Sequence, residues 1–211
     1  MMLLWRCIIV AVVIAVSLMR PDSAAAQNEA RKNLLEGIDV NTPGPELFLR
    51  AYEVFSHPRC SNCHPRDDRP RWGARVHGMN VQRGQEQPKG DKHKKEGGYG
   101  SPGMPCSTCH QGQNGELQGS PPGAQDWRLA PVRMGWVGLT AADLCLQLKR
   151  LEQEDDETIE HIVNPDKLDA LVAWAWHPGP GRERPPGDLN QLVQILTWWK
   201  TAGAGCPPSG K

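Results

Sequence analysis

The chain has 211 residues, and its 24 basic side chains are balanced by 24 acidic ones. This balance favours no particular class of partner. The length is enough for one ordinary domain or for two very small ones, and it excludes a larger number. The informative part of the composition is its 22 glycines, 19 prolines and 7 cysteines, whose positions divide the chain into four segments.

The first segment has the pattern of a secretory signal. Arg6 is followed by an apolar run at residues 7–19 and by the small-residue stretch Ser23-Ala24-Ala25-Ala26. We predict a signal peptide over residues 1–26, cleaved after Ala26, and a single mature periplasmic domain over residues 27–211. An uncleaved membrane anchor is the alternative, but this apolar run is shorter than the roughly 20 residues that a membrane-spanning helix needs.

The second segment is predicted to be a helix that begins at Gly44-Pro45-Glu46, since proline is tolerated at the first helical position. Apolar residues then recur on one face, namely Leu47, Phe48, Ala51, Tyr52 and Phe55. This helix leads the chain to His57 and to the first of two cysteine motifs.

Those motifs are Cys60-Ser61-Asn62-Cys63-His64 and Cys106-Ser107-Thr108-Cys109-His110. Both follow the pattern C-x-x-C-H, the attachment signature of c-type haem. The two thiols form thioether links to one porphyrin, and the histidine binds its iron from the same side. We therefore predict two covalently bound haem c groups, one on each motif.

Two other chemistries use cysteine pairs, and neither fits well. Zinc ribbons place their pairs closer together than the 42 residues that separate Cys63 from Cys106. A thioredoxin-like redox pair would lie in an alternating βαβ pattern, and the sequence does not have one. Nucleic-acid binding is not expected of an exported haem protein.

The third segment, residues 57–138, is called the middle segment below. It contains 14 glycines and 9 prolines and has no long helical or strand period. Such a composition cannot bury enough apolar surface to offset its chain entropy. Each porphyrin is a large apolar plate with axial bonds to the chain, so we predict that the middle segment is ordered only in the haem-loaded protein.

Charge is uneven along the chain. Residues 59–95 hold ten basic and four acidic side chains, and residues 143–169 reverse this bias. The basic stretch predicts a surface that balances haem propionates and steers an acidic redox partner. Two ordinary solvated faces are the alternative.

The fourth segment, residues 139–206, is predicted to contain three helices. The first is capped by Thr140, the second runs from Asn164-Pro165 through Trp176, and the third runs from about Asp188 to Ala202. Cys145 and Cys206 remain outside the haem motifs, and in an oxidising compartment we predict that they form a disulfide. The predicted fold is mainly α and loop-rich, a multihaem cytochrome c-like domain organised around two covalent haems.

The sixth ligand of each iron is less strongly specified than the fifth. His64 and His110 are predicted to be the motif-derived ligands, and His77 and His161 the distal ones. His77 lies between the two motifs, and His161 lies in a helical stretch where it can point into a pocket. Met79 and His57 remain alternatives.

Several stretches of this sequence resemble a family of small bacterial dihaem cytochrome c-like proteins, often labelled as an isoquinoline 1-oxidoreductase subunit. They include HPRCSNCHP (57–65), HGMNVQRG (77–84), MPCSTCHQGQN (104–114) and GAGCP (203–207). The resemblance implies a protein that takes electrons from a periplasmic molybdenum hydroxylase. It also implies histidine at the positions of His77 and His161.

Together these features predict a periplasmic electron-transfer protein with no catalytic residues of its own. The alternatives are a dihaem peroxidase-like enzyme and a haem-based sensor or binding module. Peroxidases of that kind place each haem in its own domain, whereas Cys60 and Cys106 are only 46 positions apart. This spacing predicts two neighbouring haems in one domain, with rapid electron exchange between them.

Overall fold

The computed structural model describes residues 32–90, 95–117, 119–154 and 159–209. The predicted signal peptide therefore lies outside the described residues. One compact unit spans residues 33–211 and contains every element named below. No helix in the described part of the chain is long and apolar enough to cross a membrane.

The regular structure of this unit is mostly helical. Its α-helices are α1 (Gly44–Phe55), α2 (Pro58–Ser61), α3 (Ala141–Glu154), α4 (Glu160–Val163), α5 (Ala170–Trp176) and α6 (Leu189–Thr201). Short 3-10 turns lie at Cys106–Thr108, Val132–Met134 and Pro165–Lys167.

The hydrophobic core lies between α1, α3 and α6, which we call the helical core. The predicted apolar face of α1 points into this core, where the side chains of Leu47, Phe48 and Phe55 are almost completely buried. The ring of Phe48 packs against Trp199 of α6 at a centroid distance of 5.2 Å. These contacts hold α1 in place, and α1 delivers the chain directly to the first cysteine motif.

Helices α3 and α6 match their predictions, but the second predicted helix is wrong in its first part. The chain forms a 3-10 turn after Asn164 and becomes extended at Leu168 and Asp169, and α5 begins only at Ala170. The reason is local capping. The Asn164 side chain accepts from the backbone N–H of Asp166, and the Asp169 side chain accepts from that of Leu171, so each starts a separate element.

Six two-residue strands form three antiparallel pairs in the middle segment. They are β1 (Arg71–Trp72) with β2 (Arg75–Val76), β3 (Glu86–Gln87) with β4 (Gly97–Gly98), and β5 (Gly100–Ser101) with β6 (Met104–Pro105). The architecture is thus helical and loop-rich with a few short strands, which the predicted class, mainly α, leaves out.

Glycine makes this strand pairing possible. Gly100 of β5 has a φ of +92°, and a Cβ at this position would lie 2.7 Å from the carbonyl oxygen of Met104 in the paired strand β6. Only a residue without a side chain permits so close an approach of two backbones.

The predicted disulfide is confirmed. Cys145 of α3 and Cys206 lie at bonding distance, with an S–S separation of 2.05 Å and a Cα–Cα separation of 5.6 Å. The bond ties α3 to the chain that follows α6.

Candidate functional site

The first cysteine motif lies on a short helical turn. The helix α2 is capped by His57, whose Nδ1 accepts from the N–H of Arg59 at 3.2 Å. The turn continues beyond α2, because the N–H of Cys63 donates to the carbonyl of Cys60 and the N–H of His64 donates to the carbonyl of Ser61. Residues three and four positions apart share one side of a helical turn, and Cys60, Cys63 and His64 all line a single cavity.

The ring of His64 is held in one orientation. Its Nδ1 donates to the carbonyl of Met134 at 2.8 Å, and the ring stacks on Trp136 at a centroid distance of 3.4 Å. Burial lowers the pKa of His64 to about 3, so the ring is neutral at physiological pH. With the proton on Nδ1, the lone pair of Nε2 is available to a metal ion.

The second motif repeats this construction with different partners. Cys106 begins a 3-10 turn, and the N–H groups of Cys109 and His110 both donate to its carbonyl. The Nδ1 of His110 donates to the carbonyl of Pro122 at 2.7 Å, and the ring stacks on Trp127 at 4.4 Å with an interplanar angle of 4°. Burial also lowers the pKa of His110. In both motifs the histidine donates its Nδ1–H to a backbone carbonyl, which leaves Nε2 available as a ligand.

His77 lies opposite His110. Their ring centres are 6.2 Å apart and the ring planes are inclined at 64°. A metal ion about 2 Å from an imidazole nitrogen lies about 3 Å from the ring centre, so two imidazoles on one metal have centres about 6 Å apart. The Nδ1 of His77 lies 3.0 Å from the carbonyl of Gly78, the same kind of contact that orients the two motif histidines. The spacing of the two rings fits a shared metal ion.

His161 lies beside the first motif. It lies on α4 and lines the same cavity as Cys60, Cys63 and His64. Burial is the main cause of the lowered pKa of His64. Positive charge on His161 would also disfavour a proton on His64, and this is a smaller cause. The carbonyl of His161 accepts from the N–H of Asp169 at 3.4 Å, which joins α4 to the start of α5.

The cavity beside the first motif measures about 340 Å³, a volume typical of cofactor pockets. Its apolar walls include Phe55, Met134, Trp136, Leu171, Val172, Ala175, Trp176 and Leu192. Its charged walls are Arg59, Lys89, Lys95, Arg128 and Arg133, with Glu96 and Asp169.

The excess of cations over carboxylates in this cavity indicates its chemistry. Three of these five cations are paired: Arg128 lies 2.6 Å and Lys95 3.2 Å from the carboxylate of Asp169, and Arg133 lies 2.8 Å from that of Glu96. An apolar cavity with more basic than acidic groups on its walls fits a large apolar ligand that carries carboxylates. Haem has that character.

The two motifs are close neighbours. Burial raises the pKa of the Cys63 thiol to about 11, and negative charge on the Cys106 thiol contributes to this rise. The ring of Trp127, which stacks on His110, also meets Trp174 edge-on at 4.9 Å, and Trp174 lies 5.3 Å below the guanidinium of Arg59. Aromatic contacts therefore run from the second motif to the residue beside Cys60.

The two alternative distal ligands lie in other surroundings. Both ring nitrogens of His57 have partners, because Nδ1 caps α2 and Nε2 lies 3.4 Å from the carboxylate of Glu183. Met79 is 71% exposed. Neither residue lines the cavity of the first motif.

Some contributors to the site are missing from the sequence-based prediction. The carbonyls of Met134 and Pro122 orient the motif histidines, and a backbone group leaves no signal in the sequence. Asn114 is a second omission, because its side chain accepts from Gly123 and Trp174 and donates to Pro178. An asparagine four residues after His110 could have been considered, but its partners lie up to 64 residues away.

No family model, curated protein or solved structure matches this chain.

Proposed function

We propose that the protein is a periplasmic electron-transfer protein with two covalent haem c groups. The proposal rests on one observation, which is that the two C-x-x-C-H motifs are built in the same way. Each motif histidine donates Nδ1–H to a backbone carbonyl and stacks on a tryptophan, and each presents its Nε2. Carbonyl partners of this kind are what fix the tautomer and direction of a metal-binding imidazole.

The residues that would hold the two groups follow from this arrangement. Cys60, Cys63 and His64 would hold the first haem, with His161 as its distal ligand. Cys106, Cys109 and His110 would hold the second, with His77 opposite. Haem supplies one-electron redox chemistry when bound, and the chain sets its potential through ligand identity and burial.

Two histidines on each iron favour electron transfer over catalysis. A peroxidase or sensor needs an open iron position, whereas His77 lies at a distance from His110 that fits occupation of both axial positions. Histidine also gives a lower potential than methionine in the same position. The aromatic contacts that run from His110 through Trp127 and Trp174 to Arg59, the neighbour of Cys60, support two haems that lie near each other.

The resemblance described above supports a molybdenum hydroxylase of the periplasm as the electron donor. The disulfide between Cys145 and Cys206 is in keeping with export, because such bonds persist in oxidising compartments. Export and covalent haem attachment support each other, since attachment in bacteria is completed outside the cytoplasm.

Haem stoichiometry and spectra test the proposal. We expect the chain from a host with haem c maturation to carry two haems, both low-spin in the oxidised state. The double variant Cys60→Ala, Cys63→Ala should carry one haem, and the control Cys145→Ala, Cys206→Ala should carry two. A haem-free product would overturn the proposal, and a high-spin haem that shifts with cyanide would favour the enzyme or sensor.

The distal ligands have their own test. His77→Met and His161→Met should each raise the potential of one haem, and each should add a near-red absorption band typical of methionine bound to ferric haem. His57→Met is the matched control and should leave both potentials in place. If the control moved a potential and His161→Met did not, His57 would be the ligand instead.

A further inference from the structure

The side chain of Asn114 joins three separate stretches of the chain near the second motif. Its Oδ1 accepts two hydrogen bonds at 3.0 Å, one from the backbone N–H of Gly123 and one from the indole N–H of Trp174. Its Nδ2 donates to the carbonyl of Pro178, also at 3.0 Å. These partners lie 9, 60 and 64 positions further along the chain, so a single amide side chain holds them in one arrangement.

The hydrogen bond from Gly123 holds the backbone that orients His110. Gly123 directly follows Pro122, whose carbonyl accepts from the Nδ1 of His110 at 2.7 Å. Gly123 is buried, so its N–H needs an acceptor within the protein. Without the Oδ1 of Asn114 this N–H would lose its partner, and the adjacent carbonyl of Pro122 would be held less firmly against His110.

The hydrogen bond from Trp174 holds the aromatic rings beside the same histidine. His110 stacks on Trp127 at 4.4 Å, and Trp127 meets Trp174 edge-on at 4.9 Å. A hydrogen bond prefers a nearly linear donor, so the bond to Asn114 restricts the rotation of the Trp174 ring. Asn114 therefore supports both the hydrogen-bond partner and the stacking partner of His110.

The first motif is supported in a different way. His64 donates to the carbonyl of Met134 and stacks on Trp136, two positions further along the chain. Trp136 is packed in the hydrophobic core, and its indole N–H donates to the carbonyl of Phe55. The orientation of His64 thus depends on the core, and we expect a change at Asn114 to act on the second motif alone.

We propose that Asn114 is a positioning residue for the second haem, and that it acts through Gly123 and Trp174 on the orientation and basicity of His110. The proposal rests on the proposed function. A carbonyl that accepts from Nδ1 makes the imidazole a stronger electron donor, which favours the oxidised iron. A weaker hydrogen bond from His110 should therefore raise the potential of the second haem.

The potentials of the two haems test this role. Asn114→Leu keeps the approximate size of the side chain and removes its three hydrogen bonds. In the haem-loaded protein we expect a higher potential for the second haem and an unchanged potential for the first. The same titration in the background Cys60→Ala, Cys63→Ala, which should keep only the second haem, assigns the shift.

Exchange of the Nδ1 proton of His110 provides a second measurement. Nuclear magnetic resonance of the reduced, low-spin protein should show the Nδ1 protons of His110 and His64 separately. In Asn114→Leu we expect severalfold faster exchange with solvent at His110 and an unchanged rate at His64. A general loss of stability would change both rates together, whereas a positioning role changes only one.

Trp174→Phe removes one of the two donors to Asn114 and leaves the hydrogen bond from Gly123 in place. It should raise the potential of the second haem by a smaller amount than Asn114→Leu does. If Asn114→Leu fails to take up its second haem, Trp174→Phe decides the question, and an unchanged potential in that variant would overturn the proposal.

Gln113→Leu is the matched control, because it makes the same change from amide to apolar at an exposed neighbouring side chain. Both potentials should keep their wild-type values. The positioning role is wrong if the wild-type chain carries two low-spin haems and Asn114→Leu shifts neither potential, shifts both equally, or behaves like Gln113→Leu. A wild-type chain without two haems would instead count against the proposed function.

Discussion

The helical core and the middle segment are built on different principles. In the helical core, Phe48, Trp199 and their neighbours exclude water from one continuous cluster. In the middle segment, backbone pairs and polar clamps hold the chain, and buried Arg83 donates to the carbonyls of Pro65, Asp67 and Ala130. The first region therefore depends on apolar burial that its own sequence provides, whereas the second buries only a few large apolar side chains, namely Leu129, Met134 and Trp136.

The largest expected difference between the two regions is in protein that lacks haem. In protein produced without haem maturation, we expect amides of α1, α3 and α6 to stay protected from hydrogen exchange and amides of the middle segment to exchange freely. The reason is that the porphyrins would supply the missing apolar core. Equal protection of both regions in the haem-free chain would contradict this explanation.

Truncation in the helical core should give the next largest effect. Phe48→Ala removes a fully buried ring and should lower the free energy of unfolding by about 3–5 kcal/mol. The neighbour Leu49 is 46% exposed, and Leu49→Ala should cost less than about 1 kcal/mol. Denaturant titration of both variants measures the two free energies of unfolding. A similar loss in both would mean that burial does not distinguish the two faces of α1.

The disulfide should contribute less than the core. Cys145 and Cys206 are 61 positions apart, and the double variant Cys145→Ala, Cys206→Ala should lose about 2–4 kcal/mol of unfolding free energy. Its haem content should stay at two, because the bond joins α3 to the end of the chain and not to either motif. A loss of haem in this variant would show that the two regions are coupled through the bond.

The smallest expected effect concerns the polar clamp. Arg83 is 3% exposed, and Arg83→Met leaves the buried carbonyl of Pro65 without this donor at a cost of about 1–3 kcal/mol. We expect faster proteolysis within the middle segment of the haem-loaded protein and no change in the helical core. The exposed neighbour Arg66 provides the control, and Arg66→Met should be cleaved at the wild-type rate.

The sequence predicts the helical core better than the site around it. Apolar spacing predicts α1, α3 and α6, because each has one face that must be buried, and the leftover pair Cys145 and Cys206 predicts the disulfide. The break before α5 is missed, because capping by Asp169 competes with the helical period that continues through it. The short strands are missed because glycine contacts between distant backbones leave no periodic signal.

The candidate site divides in the same way. The C-x-x-C-H spacing singles out Cys60, Cys63 and His64, and in the structure all three line one cavity. Their orientation depends on groups brought from far along the chain, such as the carbonyl of Met134, 70 residues from His64. The types of side chain at a site can be read from the sequence, whereas the backbone groups that orient them are known only from the fold.

The tryptophan behind each motif histidine determines how independently each motif can change during evolution. Trp136 stacks on His64 and is also part of the hydrophobic core, where its indole N–H donates to the carbonyl of Phe55. Trp127 stacks on His110 but lies outside that core and meets Trp174 instead. A change at Trp136 alters the surroundings of His64 and the stability of the protein together. The surroundings of His110 can change separately, so related proteins should vary more around His110 than around His64.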